Sequence, residues 1–208
     1  AADAWVGCAP VLAGFVVALV LHWVDLRLAL ASSLSRAMGF DPRLMDAFRA
    51  ESARAGGPVG RDVAILIADV RGYTAFVSGT DPAVVSRVMG QYMAAMEHCI
   101  TAEGGYINKY VGDEVVAVFG FPLAAEASAE RATRAGMAML LQLEGLVAIW
   151  KQQGTPCIER IGIGIDAGPV VFAEIGGRTK SQFDIIGDCI NGASRIEGLT
   201  KEMKQDIL

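Results

Sequence analysis

The chain reads as an α+β protein: a mostly antiparallel sheet with helices packed on it, preceded by one transmembrane helix and a helical connector. Three observations predict this. From residue 61 onward, short apolar runs of strand length alternate with longer stretches of helical periodicity. Pairs of these runs are joined by glycine-containing turns, which makes neighbouring strands antiparallel. Upstream, residues 4–24 carry no formal charge and are long enough to cross a bilayer.

That N-terminal stretch would form a helix of roughly 31 Å at 1.5 Å per residue, about one hydrocarbon core. Trp5 and Trp23 lie near its two ends, where aromatic rings favour the membrane interface. Pro10 and Gly14 are tolerated in membrane helices. A secretory signal is the rival reading, but no basic residues precede the apolar run. Arg27, Arg36, Arg43, Arg49, Arg54 and Arg61 all follow it, whereas only Asp3 precedes it. Positive residues favour the inner side, so the large domain is expected in the cytoplasm, at the cell membrane.

Residues 25–60 read as a connector. Leu26, Leu30, Leu34 and Met38 recur every four positions on one helical face, and Asp41-Pro42 starts a second short helix through Leu44, Met45 and Phe48. The apolar face either pairs with its twin in a dimer or rests on its own domain. The run from Gly56 to Gly60 is a linker, so residues 61–208 form the globular domain.

Within that domain, 63–69 is a buried strand. Asp81-Pro82 caps a helix with apolar positions Val84, Val88, Met93 and Met96. A hairpin follows, 107–111 and 114–119, turning at Gly112-Asp113. Residues 124–151 form a long alanine-rich helix. A second hairpin is expected from 161–165 and 170–175 around Asp166–Pro169, then a short strand at 183–186 and a helix at 188–200.

The net charge of −5 and pI near 5.1 argue against a nucleic-acid-binding surface, and no basic run is present. Mean hydropathy is high, +0.40, largely because of residues 4–24. Cys8, Cys99, Cys157 and Cys189 are far apart and read as reduced thiols. His22 and His98 are too few for a histidine metal site.

The candidate chemistry lies at strand ends. Asp69 and Asp113 each close an apolar run beside a glycine turn, and two such carboxylates can share hard divalent cations such as Mg²⁺. Taken singly, each is equally a solvated strand-end or turn aspartate. Asn191 and Arg195 sit four apart on one helix, so an amide and a guanidinium share a face and can clamp a phosphate and a sugar oxygen. The alternatives are a surface Asn191 and an Arg195 paired with Glu197 or Asp188. Asp184, on the preceding strand, can accept from an exocyclic amine.

Four blocks in order, 68–74 (Ala-Asp-Val-Arg-Gly-Tyr-Thr), 109–113 (Lys-Tyr-Val-Gly-Asp), 163–171, and 184–187 followed by Asn191 and Arg195, resemble the catalytic domain of class III nucleotidyl cyclases. The resemblance covers 63 to about 200. It implies that Asp69 and Asp113, helped by the Val70 carbonyl, hold two Mg²⁺ or Mn²⁺ ions. It implies that N–H groups around Arg71, Gly72, Tyr73 and Thr74 form a phosphate nest. Lys109 and Asp184 would read the base, a pair that suits adenine. Asn191 would orient the ribose and Arg195 would stabilise charge on the α-phosphate. The implied reaction is ATP to cyclic AMP and pyrophosphate, in a head-to-tail homodimer whose sites take the aspartates from one subunit and the other four from its mate. Two departures stand out. The family's further triphosphate-binding lysine belongs beyond the last helix, and the chain ends at Leu208, so an incomplete catalytic domain is expected. Ala173 replaces a usual glycine. Guanylate cyclase activity, or a non-catalytic nucleotide-binding or dimerisation module, are the competing expectations.

Overall fold

A computed structural model of the chain describes residues 22–23, 42–121, 126–176 and 181–208. The chain divides into two units, Ala1–Asp46 and Ala47–Leu208. The expected membrane span lies outside the described residues except for helical His22 and Trp23, as does the first half of the expected connector.

The elements run in the order α1 (Pro42–Ala55), β1 (Val59–Val70), α2 (Tyr73–Ser78), α3 (Pro82–Ala102), β2 (Tyr106–Val111), β3 (Glu114–Phe119), α4 (Ser128–Gln152), β4 (Ile161–Gly176), β5 (Ser181–Ile186) and α5 (Asp188–Met203). Proline opens α1 and α3, where its missing N–H costs nothing. At α3 the Asp81 side chain accepts from the Ala83 N–H at 2.8 Å. The β2–β3 turn passes through Gly112 at φ 66°, the left-handed conformation glycine supplies without strain. The short helix α2 was not expected: six residues are too few for a readable period.

The sheet order is β2-β3-β1-β4-β5, with every neighbouring pair antiparallel. One expectation fails. Residues 161–175 do not form a hairpin but a single strand, because β1 pairs with it continuously from Val59↔Phe172 to Val70↔Ile161. Asp166–Pro169 therefore stand opposite Ile65 to Asp62 within the ladder. Pro169 falls in a stretch of β4 between the part bound by β5 and the part bound by the chain's last residues, where a strand tolerates a missing N–H. The hairpin is formed instead by β4 and β5. The same long pairing draws Val59 and Gly60 out of the expected linker and into β1.

Both faces of β1 are buried, as a sheet covered on two sides requires. Ala64, Leu66, Ala68 and Val70 share one face with Ile161 and Ile163 and join Val88, Tyr92, Met96, Ala132, Met139 and Trp150 of α3 and α4 in the main core. The helix α4 is the one among the described residues long and apolar enough to cross a bilayer, yet its Ala132, Ala135, Met139, Leu143 and Trp150 are buried in this core.

The opposite face takes α5. Residues directly opposite in an antiparallel pair share a face, so Asp69, Ile67 and Val63 lie beside Gly162, Gly164 and Gly168. These glycines let α5 approach at backbone distance: a Cβ on Gly164 would fall 2.2 Å from both the Ala193 carbonyl oxygen and the Glu197 nitrogen. The chain's last residues run parallel to β4, with Ile163 N–H donating to the Asp206 carbonyl at 2.8 Å and Leu208 N–H to the Ile163 carbonyl at 3.0 Å.

In a flat sheet, four strand spacings would hold β2 and β5 about 19 Å apart. Here Asn108 and Lys109 of β2 reach Asp184 of β5 at 3.0–3.3 Å, so the sheet curls until its two edges meet. Because the clash at Gly164 is with backbone on both sides, Gly164→Ala is expected to displace α5 and destabilise by at least 1–3 kcal/mol, roughly the overpacking range. Thermal denaturation of variant and wild type checks this; an unchanged melting temperature would contradict backbone contact between α5 and β4.

Candidate active site

Asp69 is the next-to-last residue of β1, and Asp113 is in the β2–β3 turn. Pairing of β1 with β3 brings the two ends together, and the Asp69 carboxyl shares a hydrogen bond with Asp113. Burial, that hydrogen bond, and the negative charges of Asp113, Glu197 and Glu114 push the Asp69 pKa up to about 7. The Glu114 carboxyl is also raised, first by burial and then by Glu197 and Asp113. Beneath them the Tyr92 hydroxyl is buried without a hydrogen-bond partner among the described residues, and burial together with the charges of Asp69 and Asp113 disfavours its ionisation.

Like charges gathered at a strand end ask for a cation. Asp69, Asp113 and the Val70 carbonyl are the hard oxygen donors Mg²⁺ or Mn²⁺ prefers, and two carboxylates suit an ion that keeps waters or takes phosphate oxygens. Among the described residues no three His, Cys, Asp or Glu side chains form an all-protein cage. The donor set therefore fits a cation whose coordination the substrate completes.

The loop after β1 differs from expectation at Arg71. Its N–H donates to the Arg160 carbonyl at 2.9 Å, so it is not available to an anion nest. Its guanidinium turns toward α5: one nitrogen donates to Thr200 Oγ1, and the other lies 3.3 Å from Glu197 Oε1, without the alignment of a hydrogen bond. Gly162 makes room, since a Cβ there would collide with both Arg71 and Glu197. What remains for phosphate is the start of α2. Gly72 precedes it at φ 75°, and Tyr73 and Thr74 fill its first turn, where N–H groups lack helical acceptors.

Lys109 and Asp184 come into direct contact. Lys109 Nζ lies 3.1 and 3.0 Å from the two Asp184 oxygens. Asp184 Oδ1 also accepts from the Ile185 N–H at 2.9 Å and from Asn108 Nδ2 at 3.3 Å. Burial alone would raise the Asp184 carboxyl; these donors and the Lys109 charge outweigh it and hold the pKa below the usual carboxylate value. Asn108 is the residue the sequence reading missed. It is only 8 % exposed, and its inward position comes from the irregular pairing of β2 with β3, which the residues of β2 alone do not show. Tyr106 is also buried, its hydroxyl lacks a partner among the described residues, and burial plus the Asp184 charge disfavours its ionisation.

Asn191 and Arg195 are exposed one turn apart on α5, while Cys189, Ala193 and Thr200 face inward. Among the described residues no ion pair involves Arg195, and Glu197 is taken by Arg71. No hydrogen bond or ion pair among the described residues joins Asn191 or Arg195 to Asp69, Asp113, Lys109 or Asp184. One protomer thus holds three separate groups: the carboxylates, the base-facing pair, and the outward amide and guanidinium.

The crowding of carboxylates has a measurable consequence for stability. The raised Asp69 pKa means the folded state resists ionisation that the unfolded chain accepts near pH 4. Stability from this group is full below about pH 4 and falls as pH rises through about 7. With divalent ions removed by EDTA, Asp69→Asn is expected to raise the melting temperature at pH 8 by roughly 2–4 °C, the response to ~1 kcal/mol after solvent screening. The gain should vanish near pH 4. A variant less stable than wild type at pH 8 would contradict the electrostatic reading.

Comparison with known proteins places the fold. Residues 59–207 match the family model of the adenylate and guanylate cyclase catalytic domain. An adenylate cyclase of Anabaena cylindrica is 35% identical over 162 residues, 76% of this chain and 31% of that protein, so the chain spans about a third of that relative's length. The crystal structure of the guanylyl cyclase Cya2 is similar with TM-score 0.64 and 32% identity, over 69% of this chain and 72% of that one. The adenylyl cyclase CyaB from P. aeruginosa gives TM-score 0.65 and 28% identity, over 68% and 74%. With its antiparallel sheet, strand-end carboxylates and facing lysine–aspartate pair, the chain belongs to the family of adenylate and guanylate cyclase catalytic domains.

Proposed function

We propose that this chain is the catalytic part of a membrane-anchored adenylate cyclase that makes 3′,5′-cyclic AMP and pyrophosphate from ATP for intracellular signalling. The single observation that carries the choice of base is the Lys109–Asp184 pair, with Nζ 3.0–3.1 Å from the carboxylate oxygens. Adenine offers a ring-nitrogen acceptor to an ammonium and a 6-amino donor to a carboxylate. Guanine offers an N–H and a carbonyl at those positions, which reverses both complements, and mispaired buried groups discriminate strongly. The name of the Anabaena relative agrees with this reading. The Cya2 relative is named a guanylyl cyclase, so overall similarity does not decide the base; the pocket residues do.

In this reading Lys109 donates to the adenine ring nitrogen and Asp184 accepts from the amine. Asn191 holds the ribose so that its 3′-oxygen faces the α-phosphorus, and Arg195 balances charge as it builds on the α-phosphate. The first-turn N–H groups at Gly72, Tyr73 and Thr74 receive phosphate oxygens. The 3′-oxygen bonds to phosphorus, the bond to the bridging oxygen of pyrophosphate breaks, and the hydroxyl proton leaves to solvent. Divalent ions held by Asp69, Asp113 and the Val70 carbonyl supply the chemistry of lowering the 3′-hydroxyl pKa and screening the triphosphate.

The outward Asn191 and Arg195 support a homodimer, in which they serve a site whose aspartates belong to the mate. The apolar run at 4–24 and the arginines after it support a membrane anchor with the domain in the cytoplasm.

Two measurements test this. The full-length protein with Mn²⁺ is expected to convert ATP far faster than GTP, and Asp113→Ala to lose activity by at least about a hundredfold. Equal output from Asp113→Ala would reject the metal assignment, and preference for GTP would reject the base assignment. Asp113→Ala and Arg195→Ala, each inactive alone, should regain activity when co-expressed, up to about a quarter of wild-type sites in a random mixture of dimers. No recovery from folded, dimeric mixtures would place all the groups within one protomer.

A further inference from the structure

We infer that Asn108 is a specificity-positioning residue, whose amide holds the Asp184 carboxylate in its base-facing orientation when Lys109 turns from that carboxylate to the nucleotide. The inference rests on the adenine-reading assignment above and extends it to a residue outside the lysine–aspartate pair.

The argument starts from strand geometry. Successive side chains in a regular strand point to opposite faces, so Asn108 and Lys109 cannot both reach one partner in a regular β2. The ladder between β2 and β3 is irregular at this point: Ile107 pairs with Ala117 and Lys109 with Val116, leaving Asn108 as the extra residue of a bulge. A bulge re-aims neighbouring side chains, and here both converge on Asp184, Asn108 Nδ2 at 3.3 Å and Lys109 Nζ at 3.0 Å. The two differ in exposure. The Lys109 side chain is 41% exposed, whereas Asn108 is only 8 % exposed.

That difference divides the labour. A flexible, half-exposed ammonium is free to exchange the carboxylate for a ring nitrogen; a buried amide on a bulge is not. When Lys109 departs, the Ile185 N–H at 2.9 Å and Asn108 Nδ2 at 3.3 Å remain as donors to Asp184 Oδ1 among the described residues. Asn108 adds a second fixed donor on Oδ1, so the carboxylate stays in place and stays an acceptor. An acceptor fixed there is what separates a 6-amino group from a 6-carbonyl. The lowered pKa of Asp184, to which Asn108 contributes, agrees with this.

The test uses the full-length protein, measuring kcat/KM for ATP and for GTP in Asn108→Ala, Asp184→Ala and the double variant. Asn108→Ala is expected to lower the ATP/GTP ratio about tenfold, the size of effect of a hydrogen bond to a charged group. In the Asp184→Ala background the same change should leave the ratio unmoved, since Asn108 acts through that carboxylate. A ratio unchanged in Asn108→Ala, or lowered equally in both backgrounds, overturns the inference. If Asn108→Ala does not fold, the near-isosteric Asn108→Asp decides, with the ratio again expected to fall at least about tenfold as a donor becomes a like charge. An Asn108→Asp protein with wild-type preference overturns it. A wild type that prefers GTP, or turns over neither nucleotide, would instead sink the adenylate reading itself.

Discussion

The close seating of α5 on β4 is the constraint from which the rest of the domain follows. A helix normally stands off a sheet by the thickness of its side chains. Here Gly164 removes that thickness and backbone meets backbone, while Gly162 leaves room for the Arg71 and Glu197 side chains and Gly168 lies against the Cys189 side chain. The consequence is directional. With Cys189, Ala193 and Thr200 pressed inward, the opposite side of the helix is fixed too, and Asn191 and Arg195 face away from their own sheet. The same seating brings Glu197 and Thr200 to the end of β1, where they take up the Arg71 guanidinium.

Function and stability pull against each other at the end of β1. Three further carboxylates, Asp113, Glu114 and Glu197, act on Asp69, and Arg71 is the cation the described residues set beside Glu197. A protein selected for stability alone would replace one of these acids with an amide. Keeping them leaves an unbalanced negative centre of the kind that hard divalent cations neutralise.

Much of this was legible in the residues, for identifiable reasons. The Asp81-Pro82 cap and the Gly112-Asp113 turn are local signals whose chemistry is complete within four residues, and both elements form where expected. Asp69 and Asp113 stood out at strand ends, but each alone read equally as a solvated turn residue; the resemblance of four blocks in order singled out the carboxylates and the Lys109–Asp184 pair. The failures share another cause. Asp166–Pro169 has turn composition, yet β1 is long enough to pair straight through it, and tertiary pairing overrides local preference. Arg71 was expected to lend its N–H to a phosphate nest, but the Arg160 carbonyl takes that N–H, a relation between positions 71 and 160 that no local pattern carries. Asn108 was passed over because a one-residue irregularity in a ladder has no signature in one strand alone.

That irregularity also ties two tasks to a single piece of backbone bookkeeping. From Asn108 to Asp113 the chain runs through β2 straight into the turn. Deleting Asn108 would restore even pairing and leave Lys109 through Val111 opposite Val116 through Glu114, but the local bend that re-aims the side chains of β2 would be gone. The buried donor to Asp184 and the aim of Lys109 would then be lost together, from one lesion, although neither Lys109 nor Asp184 had been changed.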